Sequence, residues 1–342
     1  MHPSDVPIRW MRGHAARTLH QQWYRGTTAL SVALRPLSWM YGGIMRARRR
    51  LYANGTFRSF AATVPVISIG NPIVGGTGKT PVSAWFIEEL LRRGRRPALL
   101  HGGYALDEPA LHRRWHPDVP VIVGRDRAAS ARRAAEIGCD VVVLDDGMQH
   151  LRIRRDIDLA LVSADTWRLD PRLLPDGPWR EPPAALSRAS AVGITRRAAD
   201  PAHARQVEAE LMSLVRPLPP VIHFVIESAA WRTLGGAPAD QPAQPVTAVC
   251  AIAHPQALAS QLIAAGVPVR EVLAFPDHHE YDDNDVGEIA AAAADSPVVT
   301  TEKDAVKLER FNIGATVIVW RQRAFPDPGA DVLARLLDRA LE

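Results

Sequence analysis

The segment VPVISIGNPIVGGTGKTP, residues 64–81, predicts the fold more strongly than any other part of the chain. Its first seven residues, 64–70, form a short apolar run that is typical of a buried parallel strand. A glycine-rich turn follows, and residues 82–91 then have the composition of a helix that ends near Gly94. A strand, a glycine loop with Gly-Lys-Thr and a helix are the context in which a phosphate-binding loop occurs.

The chemistry of phosphate binding explains the residue types of this turn. Glycines allow backbone N–H groups to face phosphate oxygens, and the helix N-terminus adds a favourable partial charge. We expect Lys79 to reach the β- and γ-phosphates of ATP and Thr80 to hold Mg²⁺. Ile73 occupies the position of the usual first glycine, so the motif is a variant. The predicted cofactor-binding residues are Gly75, Gly76, Thr77, Gly78, Lys79 and Thr80.

A second apolar run, residues 139–144, ends in the acidic motif DDGMQH at residues 145–150. P-loop enzymes hold their metal ion with a carboxylate at the end of such a strand. Ligands of open α/β sheets bind at the carboxyl ends of the strands, which places this motif near the glycine loop. Asp145 and Asp146 are therefore predicted catalytic residues and Mg²⁺ ligands together with Thr80. One of the two aspartates remains available as a helix cap.

The N-terminal part of the chain is strongly basic. Residues 1–60 contain ten arginines and one acidic residue, Asp5, although the whole chain of 342 residues has a formal net charge of +4. This segregation predicts that the segment meets an anionic surface. No basic groove with interleaved aromatic residues occurs, so nucleic acid is the weaker interpretation.

A helix is predicted in this segment from Pro36, which suits a first helical turn. Leu37, Met40, Tyr41 and Ile44 follow with the spacing of one helix face. The apolar stretch is much shorter than the roughly 20 residues that span a bilayer. An amphipathic helix rich in arginine can lie in the membrane interface instead. A helix that packs on the protein's own core is the alternative.

The pattern of strands and helices predicts an α/β protein with a parallel sheet of the P-loop NTPase type and helices on both faces. A smaller C-terminal α/β domain and an N-terminal amphipathic helix complete the prediction. Two strands, 221–226 and a returning 231–234, are expected in the linker. The predicted division is 1–60 for the basic segment, 61–218 for the kinase domain, 219–245 for the two-stranded linker and 246–342 for the smaller domain with the C-terminal helix.

These motifs together resemble those of the tetraacyldisaccharide 4′-kinase (lipid A 4′-kinase) family. The resemblance spans about residues 36–307 in the order of the family. It is carried by LSWMYG at 37–42, GGTGKTP at 75–81, DEP at 107–109, DDGMQH at 145–150, LLPDGPWRE at 173–181, FPDHH at 275–279 and TEKDAVK at 301–307.

The resemblance implies a bacterial kinase held peripherally at the cytoplasmic face of the inner membrane. It implies transfer of the γ-phosphate of ATP, with Mg²⁺, to the 4′-hydroxyl of a tetraacylated glucosamine disaccharide 1-phosphate. Asp107 is the implied base and His278 its assistant, and the two are expected to pair only if the second domain closes over the first. The implied substrate contacts are Glu108, Gln149, His150, Arg180 and Glu181.

One segment departs from the family pattern. HGGYA at residues 101–105 stands where the family usually has Ser-Arg-Gly-Tyr-Gly, and the stretch to Asp107 is shortened. A membrane-bound nucleotide sensor without an acceptor site is therefore one alternative function. Another P-loop enzyme, such as a soluble small-molecule kinase or a GTPase, is the other, although the chain lacks a guanine-reading Asn-Lys-x-Asp segment. Glu302, Lys303 and Asp304 are interpreted either as nucleotide or interdomain contacts or as a cap with a solvated helix start.

Overall fold

The structure is a computed structural model that describes residues 5–11, 23, 29–103, 107–294 and 296–342. Its strands are β1 (Ile8–Trp10), β2 (Val66–Gly70), β3 (Pro97–His101), β4 (Val121–Val123), β5 (Val141–Asp145), β6 (Ile157–Ser163), β7 (Ala191–Arg196), β8 (Val221–Thr233), β9 (Pro238–Ala239), β10 (Val246–Cys250), β11 (Val269–Ala274), β12 (Val298–Thr301) and β13 (Val317–Pro326). Its helices are α1 (Ala29–Ala53), α2 (Lys79–Arg92), α3 (Asp107–Trp115), α4 (Arg127–Glu136), α5 (Pro201–Leu214), α6 (Pro255–Ala264), α7 (Asp283–Ala293), α8 (Glu302–Leu308) and α9 (Ala330–Leu341).

The chain divides into two compact units. The P-loop unit, which contains the glycine loop, comprises His20–Tyr104, His112–Ile226 and Ala324–Glu342. The second unit comprises Met1–Leu19, Ala105–Leu111 and Glu227–Arg323. This division differs from the predicted one. Both ends of the chain and a short internal segment belong to a different unit from the one predicted from their position in the sequence.

The P-loop unit is built on a parallel sheet with the strand order β4-β3-β5-β2-β6-β7-β8. Side chains of a strand alternate between the two faces of the sheet. Ile67 and Val143 accordingly belong to the core that contains α2, whereas Val66 and Val142 pack with α4 residues. Both faces are covered by helices, which explains why β2 and β5 are apolar without interruption and confirms the predicted fold class.

The C-terminal helix α9 belongs to the P-loop unit and not to the smaller domain in which the sequence placed it. Leu333 and Leu337 are buried in the same core as Ile67 and Phe86. They are four residues apart and therefore share one face of the helix. That apolar face needs a core to cover it, and the sheet of the P-loop unit supplies the core.

The second unit contains parallel strands in the order β1-β11-β10-β12-β13. Strand β1 lies in the N-terminal segment, residues 1–60, which was predicted to be a separate basic segment with one helix. The predicted returning strand at 231–234 is also wrong. Residues 221–233 form one continuous strand, and the returning strand is β9, in which Ala239 pairs with Trp231.

Helix α1 is longer than the sequence indicated. It begins at Ala29, so that Pro36 lies inside the helix and not in its first turn. A proline at this position removes one intrahelical hydrogen bond. Within the described residues, no helix combines the length and the apolar character needed to cross a membrane.

Neighbouring strands bring the two predicted motifs together. In the ladder between β2 and β5, Ile69 lies opposite Asp145. A β-carbon on Gly70 would lie 2.5 Å from both the Cβ atom and the backbone nitrogen of Met148. Glycine at position 70 therefore allows the acidic turn after β5 to pack directly on the end of β2.

Candidate active site

The glycine loop joins β2 to α2 and has the backbone conformation that its glycines permit. Gly75 and Gly78 have φ angles of 120° and 79°, in a region that glycine enters without steric cost. A β-carbon on Gly78 would lie 2.5 Å from the Cδ1 atom of Ile226. The loop therefore depends on glycine at position 78 both for its backbone angles and for its packing.

Two side chains at the carboxyl end of β7 fix the carbonyl groups of the loop. The Thr195 hydroxyl donates a hydrogen bond to the Thr77 carbonyl oxygen at 3.0 Å, and Arg197 donates one to the Gly76 carbonyl oxygen at 3.2 Å. In a trans peptide the N–H group points away from the carbonyl, so the anchor on Thr77 directs the Gly78 N–H away from Thr195. The Thr77 N–H itself donates a hydrogen bond to the Gly75 carbonyl oxygen at 2.9 Å. Sequence reasoning missed Thr195 and Arg197, although polar residues at a strand end are a usual signal.

Lys79 lies beside the acidic motif, as the sequence predicted. Its Nζ atom is 3.7 Å from Asp146 Oδ1 and 3.4 Å from Asn71 Oδ1. Its side chain is 12% exposed, so the ammonium is largely shielded from solvent. Asn71 was missed by sequence reasoning even though it directly follows β2. The arrangement places a cation where the phosphates of a nucleotide would meet the loop.

The two aspartates of the motif have different surroundings. Asp145 is fully buried, and neither of its carboxylate oxygens has a hydrogen-bond partner among the described residues. The His112 Nε2 atom lies 3.6 Å from Asp145 Oδ2. Burying a carboxylate without hydrogen bonds costs free energy. Carboxylate oxygens are ligands that hard divalent cations prefer. Asp145 therefore fits a Mg²⁺ ligand better than Asp146 does.

Asp146 is instead held by cations of the protein. The Arg180 Nη1 atom lies 3.0 Å from each Asp146 oxygen, and Lys79 approaches from another side. Asp146 has a φ angle of 56°, which is uncommon for a residue other than glycine. Strained backbone of this kind concentrates at functional sites, where the surroundings hold it in place. Asp146, Arg180 and Lys79 thus form one charged group next to the glycine loop.

Other residues of the P-loop unit that were predicted to contact the substrate form hydrogen bonds within the protein. The Glu181 carboxylate accepts hydrogen bonds from Arg188 at 2.8 and 2.9 Å, and Gln149 donates to Glu181 at 3.3 Å and to the Asn71 carbonyl oxygen at 3.0 Å. Burial and neighbouring arginines lower the pKa of His150 to about 4. His150 is therefore a neutral imidazole near pH 7, and contact of these residues with an acceptor stays a prediction.

Asp107 and His278 lie together in the second unit. The His278 Nδ1 atom is 3.0 Å from Asp107 Oδ2 and 3.2 Å from Asp107 Oδ1. The expectation that pairing needs one domain to close over the other is wrong, because the segment Ala105–Leu111 belongs to the same unit as His278. His278 has a φ angle of 59°, which makes it the second non-glycine residue with positive φ at a predicted catalytic position.

The pair shifts the pKa of both partners. Burial raises the pKa of the Asp107 carboxyl, but the hydrogen bond from His278 and the charges of Lys303, His278 and Lys307 outweigh it, so the pKa lies below its ordinary value. The hydrogen bond to Asp107 raises the pKa of His278, although burial opposes it. An ionised carboxylate beside a readily protonated imidazole is the arrangement of a general base and its assistant.

The TEKDAVK segment forms the short helix α8 of the second unit. The Thr301 side chain accepts a hydrogen bond from the Asp304 backbone nitrogen, which confirms the cap interpretation. The first turn is only partly solvated, because Asp304 is buried whereas Glu302 and Lys303 are half-buried. Lys303 donates a hydrogen bond to Glu108 Oε1 at 2.9 Å. Glu108 is therefore engaged by a neighbouring cation, and its predicted contact with the acceptor stays untested.

Comparison with known proteins decides the family. The family model described as tetraacyldisaccharide-1-P 4′-kinase matches residues 30–106 and 105–342. A tetraacyldisaccharide 4′-kinase of Halorhodospira halophila is 35% identical, with 88% of this chain and 90% of the relative covered. One of Alkalilimnicola ehrlichii is 36% identical, with 89% and 88% covered. The chain belongs to the tetraacyldisaccharide 4′-kinase family.

A solved structure supports the same family assignment at the level of the fold. An LpxK of Aquifex aeolicus, crystallised in complex with ATP, superposes with a TM-score of 0.72 at 26% identity. The match covers 92% of this chain and all of that one. The chain is thus a kinase of the P-loop class, and the resemblance drawn from its motifs is confirmed. Tyr104 and Ala105 of the departing segment lie outside the described residues.

We expect the pairing of Asp107 with His278 in this kinase to be measurable without catalysis. In the wild type, the His278 pKa should lie above its ordinary value of about 6.5, because the carboxylate stabilises the imidazolium. In an Asp107→Asn variant the pKa should fall, since the charge is lost while the shape is kept. Titration of the imidazole resonances by NMR measures both values. An unchanged His278 pKa in the variant contradicts the pairing.

Stability should depend on pH in the direction that these shifts dictate. The folded pKa of Asp107 is lowered, so its contribution is present above the unfolded value and is lost as the pH falls through the folded one. The folded pKa of His278 is raised, so its contribution is present below the unfolded value and is lost as the pH rises through the folded one. The pair therefore stabilises the second unit most between the two unfolded pKa values, and its contribution declines as the pH moves beyond them toward the two folded values.

Proposed function

We propose that this protein transfers the γ-phosphate of ATP to the 4′-hydroxyl of a tetraacylated glucosamine disaccharide 1-phosphate. The observation that carries the proposal is the meeting of the glycine loop and the acidic strand end, with Lys79 Nζ 3.7 Å from Asp146 Oδ1. Family membership over nearly the whole chain supports the choice of acceptor. The acceptor is the one named for the curated relatives.

ATP and Mg²⁺ are proposed to bind in the P-loop unit. The backbone of residues 75–78 and the Lys79 ammonium hold the phosphates, and the Thr80 hydroxyl and Asp145 hold the metal ion. Bound Mg²⁺ would neutralise charge on the β- and γ-phosphates. Before the nucleotide binds, Asp146 forms ion pairs with Lys79 and Arg180. Entry of the phosphates then offers these two cations a second anionic partner.

Asp107 is proposed to accept the proton of the acceptor hydroxyl. Its carboxylate is ionised at neutral pH, because its pKa lies below the ordinary value. His278 is 34% exposed and therefore meets solvent, whereas Asp107 is 2% exposed. His278 stabilises the carboxylate charge and orients the oxygen that receives the proton. Phosphoryl transfer depends mainly on positioning and charge neutralisation, and a base contributes the smaller part.

Helix α1 is proposed to hold the protein on the surface of the inner membrane at its cytoplasmic face. Its buried face packs through Ser38, which donates a hydrogen bond to the Leu173 carbonyl oxygen at 2.9 Å. Trp39, Met40 and Ile44 are 73%, 59% and 57% exposed. Large exposed apolar side chains next to arginines are typical of helices that lie in a membrane interface. A multiply acylated acceptor stays in the bilayer, so membrane contact gives access to it.

The membrane proposal predicts weaker vesicle binding when this apolar face is made polar. We expect the double variant Trp39→Ser, Met40→Ser to bind vesicles of phosphatidylethanolamine and phosphatidylglycerol at least about tenfold more weakly, because each side chain loses roughly 1.5–3 kcal/mol of burial. Met212→Ser is the control, since Met212 is 56% exposed and belongs to α5 and not to α1. Equal sedimentation of both variants with the vesicles contradicts the proposal.

Transfer of label from γ-labelled ATP to the tetraacyl disaccharide tests the proposed function directly. Phosphorylated lipid that depends on the acceptor supports the kinase. Hydrolysis of ATP at the same rate with and without lipid supports another P-loop enzyme. Binding of ATP without turnover supports the nucleotide sensor that the HGGYA segment suggests. The assay uses the full chain with lipid in detergent micelles, so a failure of membrane binding does not mask activity.

A further inference from the structure

Lys307 is a buried cation that the proposed reaction leaves without a role. Its side chain is 5% exposed in α8, and its Nζ atom makes no hydrogen bond within the described residues. The chain has three lysines, Lys79, Lys303 and Lys307, so arginine is strongly preferred elsewhere. Placing an ammonium in a buried site is costly unless nearby anions compensate for the lost hydration. Anionic neighbours are therefore needed to stabilise the Lys307 ammonium in this buried position.

Two carboxylates lie on either side of this ammonium. Lys307 Nζ is 3.4 Å from Asp304 Oδ1 and 3.7 Å from Asp107 Oδ2. The ring of Tyr281 adds a weaker attraction, with its centroid 5.5 Å from Nζ. One cation thus connects the predicted base with a second acid of the same unit.

Asp304 is fixed much more firmly than an ordinary surface acid. Its Oδ1 atom accepts hydrogen bonds from the Ala251 backbone nitrogen at 3.1 Å and from the Tyr281 hydroxyl at 3.0 Å. Its Oδ2 atom accepts one from the Thr301 hydroxyl at 2.7 Å. A carboxylate with three donors and full burial has little freedom to move. It is therefore a rigid support for the Lys307 ammonium.

Asp107 meets charged groups on several sides. His278 contacts both carboxylate oxygens, and the Glu108 backbone nitrogen donates to Oδ1 at 2.9 Å. The Lys303 ammonium, which is bound to Glu108, adds a positive charge. Lys307 approaches Oδ2 from the interior, while His278 is partly exposed. The carboxylate is thus placed between a buried ammonium and an imidazole that meets solvent.

We propose that Lys307 is a positioning residue for Asp107: anchored by Asp304, its ammonium holds the base carboxylate from the buried side. The inference rests on the proposed function, in which Asp107 accepts the acceptor proton. The ammonium opposes the tendency of burial to protonate the carboxylate. It also restricts the rotation of the side chain, so that both carboxylate oxygens keep their positions beside His278. Misplacement of a reacting group by a small distance is enough to slow a reaction substantially.

The test compares the pH profiles of phosphate transfer for the wild type and Lys307→Met. We expect kcat to fall roughly 10- to 100-fold in the variant, with the KM for ATP unchanged. The acid limb of the profile should move to higher pH, because Asp107 loses a neighbouring cation. Arg310→Met is the control, since it removes an exposed cation of the same unit that pairs with Glu280. A lower kcat with an unmoved acid limb overturns the proposal.

Two further measurements separate the possible failures. If Lys307→Met does not fold, the double variant Asp304→Asn, Lys307→Met removes the uncompensated charge and is given the same pH analysis. If the wild type transfers no phosphate, the proposed function fails, and the pKa of the Asp107 carboxyl is then compared by NMR in the wild type and Lys307→Met. A raised pKa in the variant supports the positioning role, and an equal pKa overturns it.

Discussion

Replacing Lys79 by alanine should reduce kcat for phosphate transfer by about 10²–10³-fold or more, the loss typical of removing one charge-stabilising donor at a reacting centre. Lys79 supplies the ammonium closest to the glycine loop, 3.7 Å from Asp146 Oδ1. Its removal leaves the developing phosphate charge to the backbone N–H groups and Arg180. The measurement is label transfer from ATP at saturating acceptor, together with the affinity for ATP.

The control for this variant lies on the same helix. Arg92→Ala removes an exposed cation at the last residue of α2, where it pairs with Glu89. Pairs of this kind on a helix surface contribute little to stability, so the control should keep the wild-type rate. Thermal unfolding of both variants separates loss of the site from loss of the fold. A Lys79→Ala protein that retains the wild-type rate removes the basis of the proposed function.

Replacing Asp107 by alanine should lower kcat by roughly 10²–10⁴-fold, the range for a general base. ATP binding should persist, because the glycine loop lies in the other unit. The KM for ATP is therefore expected to stay unchanged while turnover collapses. Nucleotide affinity measured by equilibrium dialysis and turnover measured by label transfer give the two quantities separately.

Asp283→Ala is the matched control for the loss of a carboxylate. Asp283 is exposed in the first turn of α7, in the unit that contains Asp107. Its removal should leave kcat within a small factor of the wild type. If Asp107→Ala transfers phosphate as fast as this control, the base is another group. If ATP binding is lost together with turnover, Asp107 supports the structure and not the chemical step.

The local elements of the site were predictable from short stretches of sequence. The strand, loop and helix around residues 64–91 have the hydrophobic pattern and glycine placement of a phosphate-binding loop, and the structure has β2, the loop and α2 in this order. The DDGMQH motif was predicted at a strand end, and Asp145 is the last residue of β5. Both predictions succeeded because backbone sterics and strand burial act over a few neighbouring residues.

Side-chain partners from distant parts of the chain were not predictable in this way. Thr195 and Arg197 anchor the loop from the end of β7, and Lys307 lies 3.7 Å from Asp107 Oδ2. Each contact depends on which distant segments become neighbours in the fold. A solvated start was an open interpretation of helix α8. The structure buries Asp304 there, because the Ala251 backbone nitrogen and the Tyr281 hydroxyl donate hydrogen bonds to it.

The amino-acid sequence by itself determined the strand, loop and helix of residues 64–91, the class of the sheet and the identity of the charged residues around the loop. Those features follow from hydrophobic periodicity, glycine geometry and side-chain chemistry, which are local properties. Only the tertiary structure decided that α9 joins the P-loop unit and that Ala105–Leu111 joins the unit of His278. It also gave Asp145 and Asp146 different surroundings, because burial and ion pairing depend on which distant segments pack around each side chain.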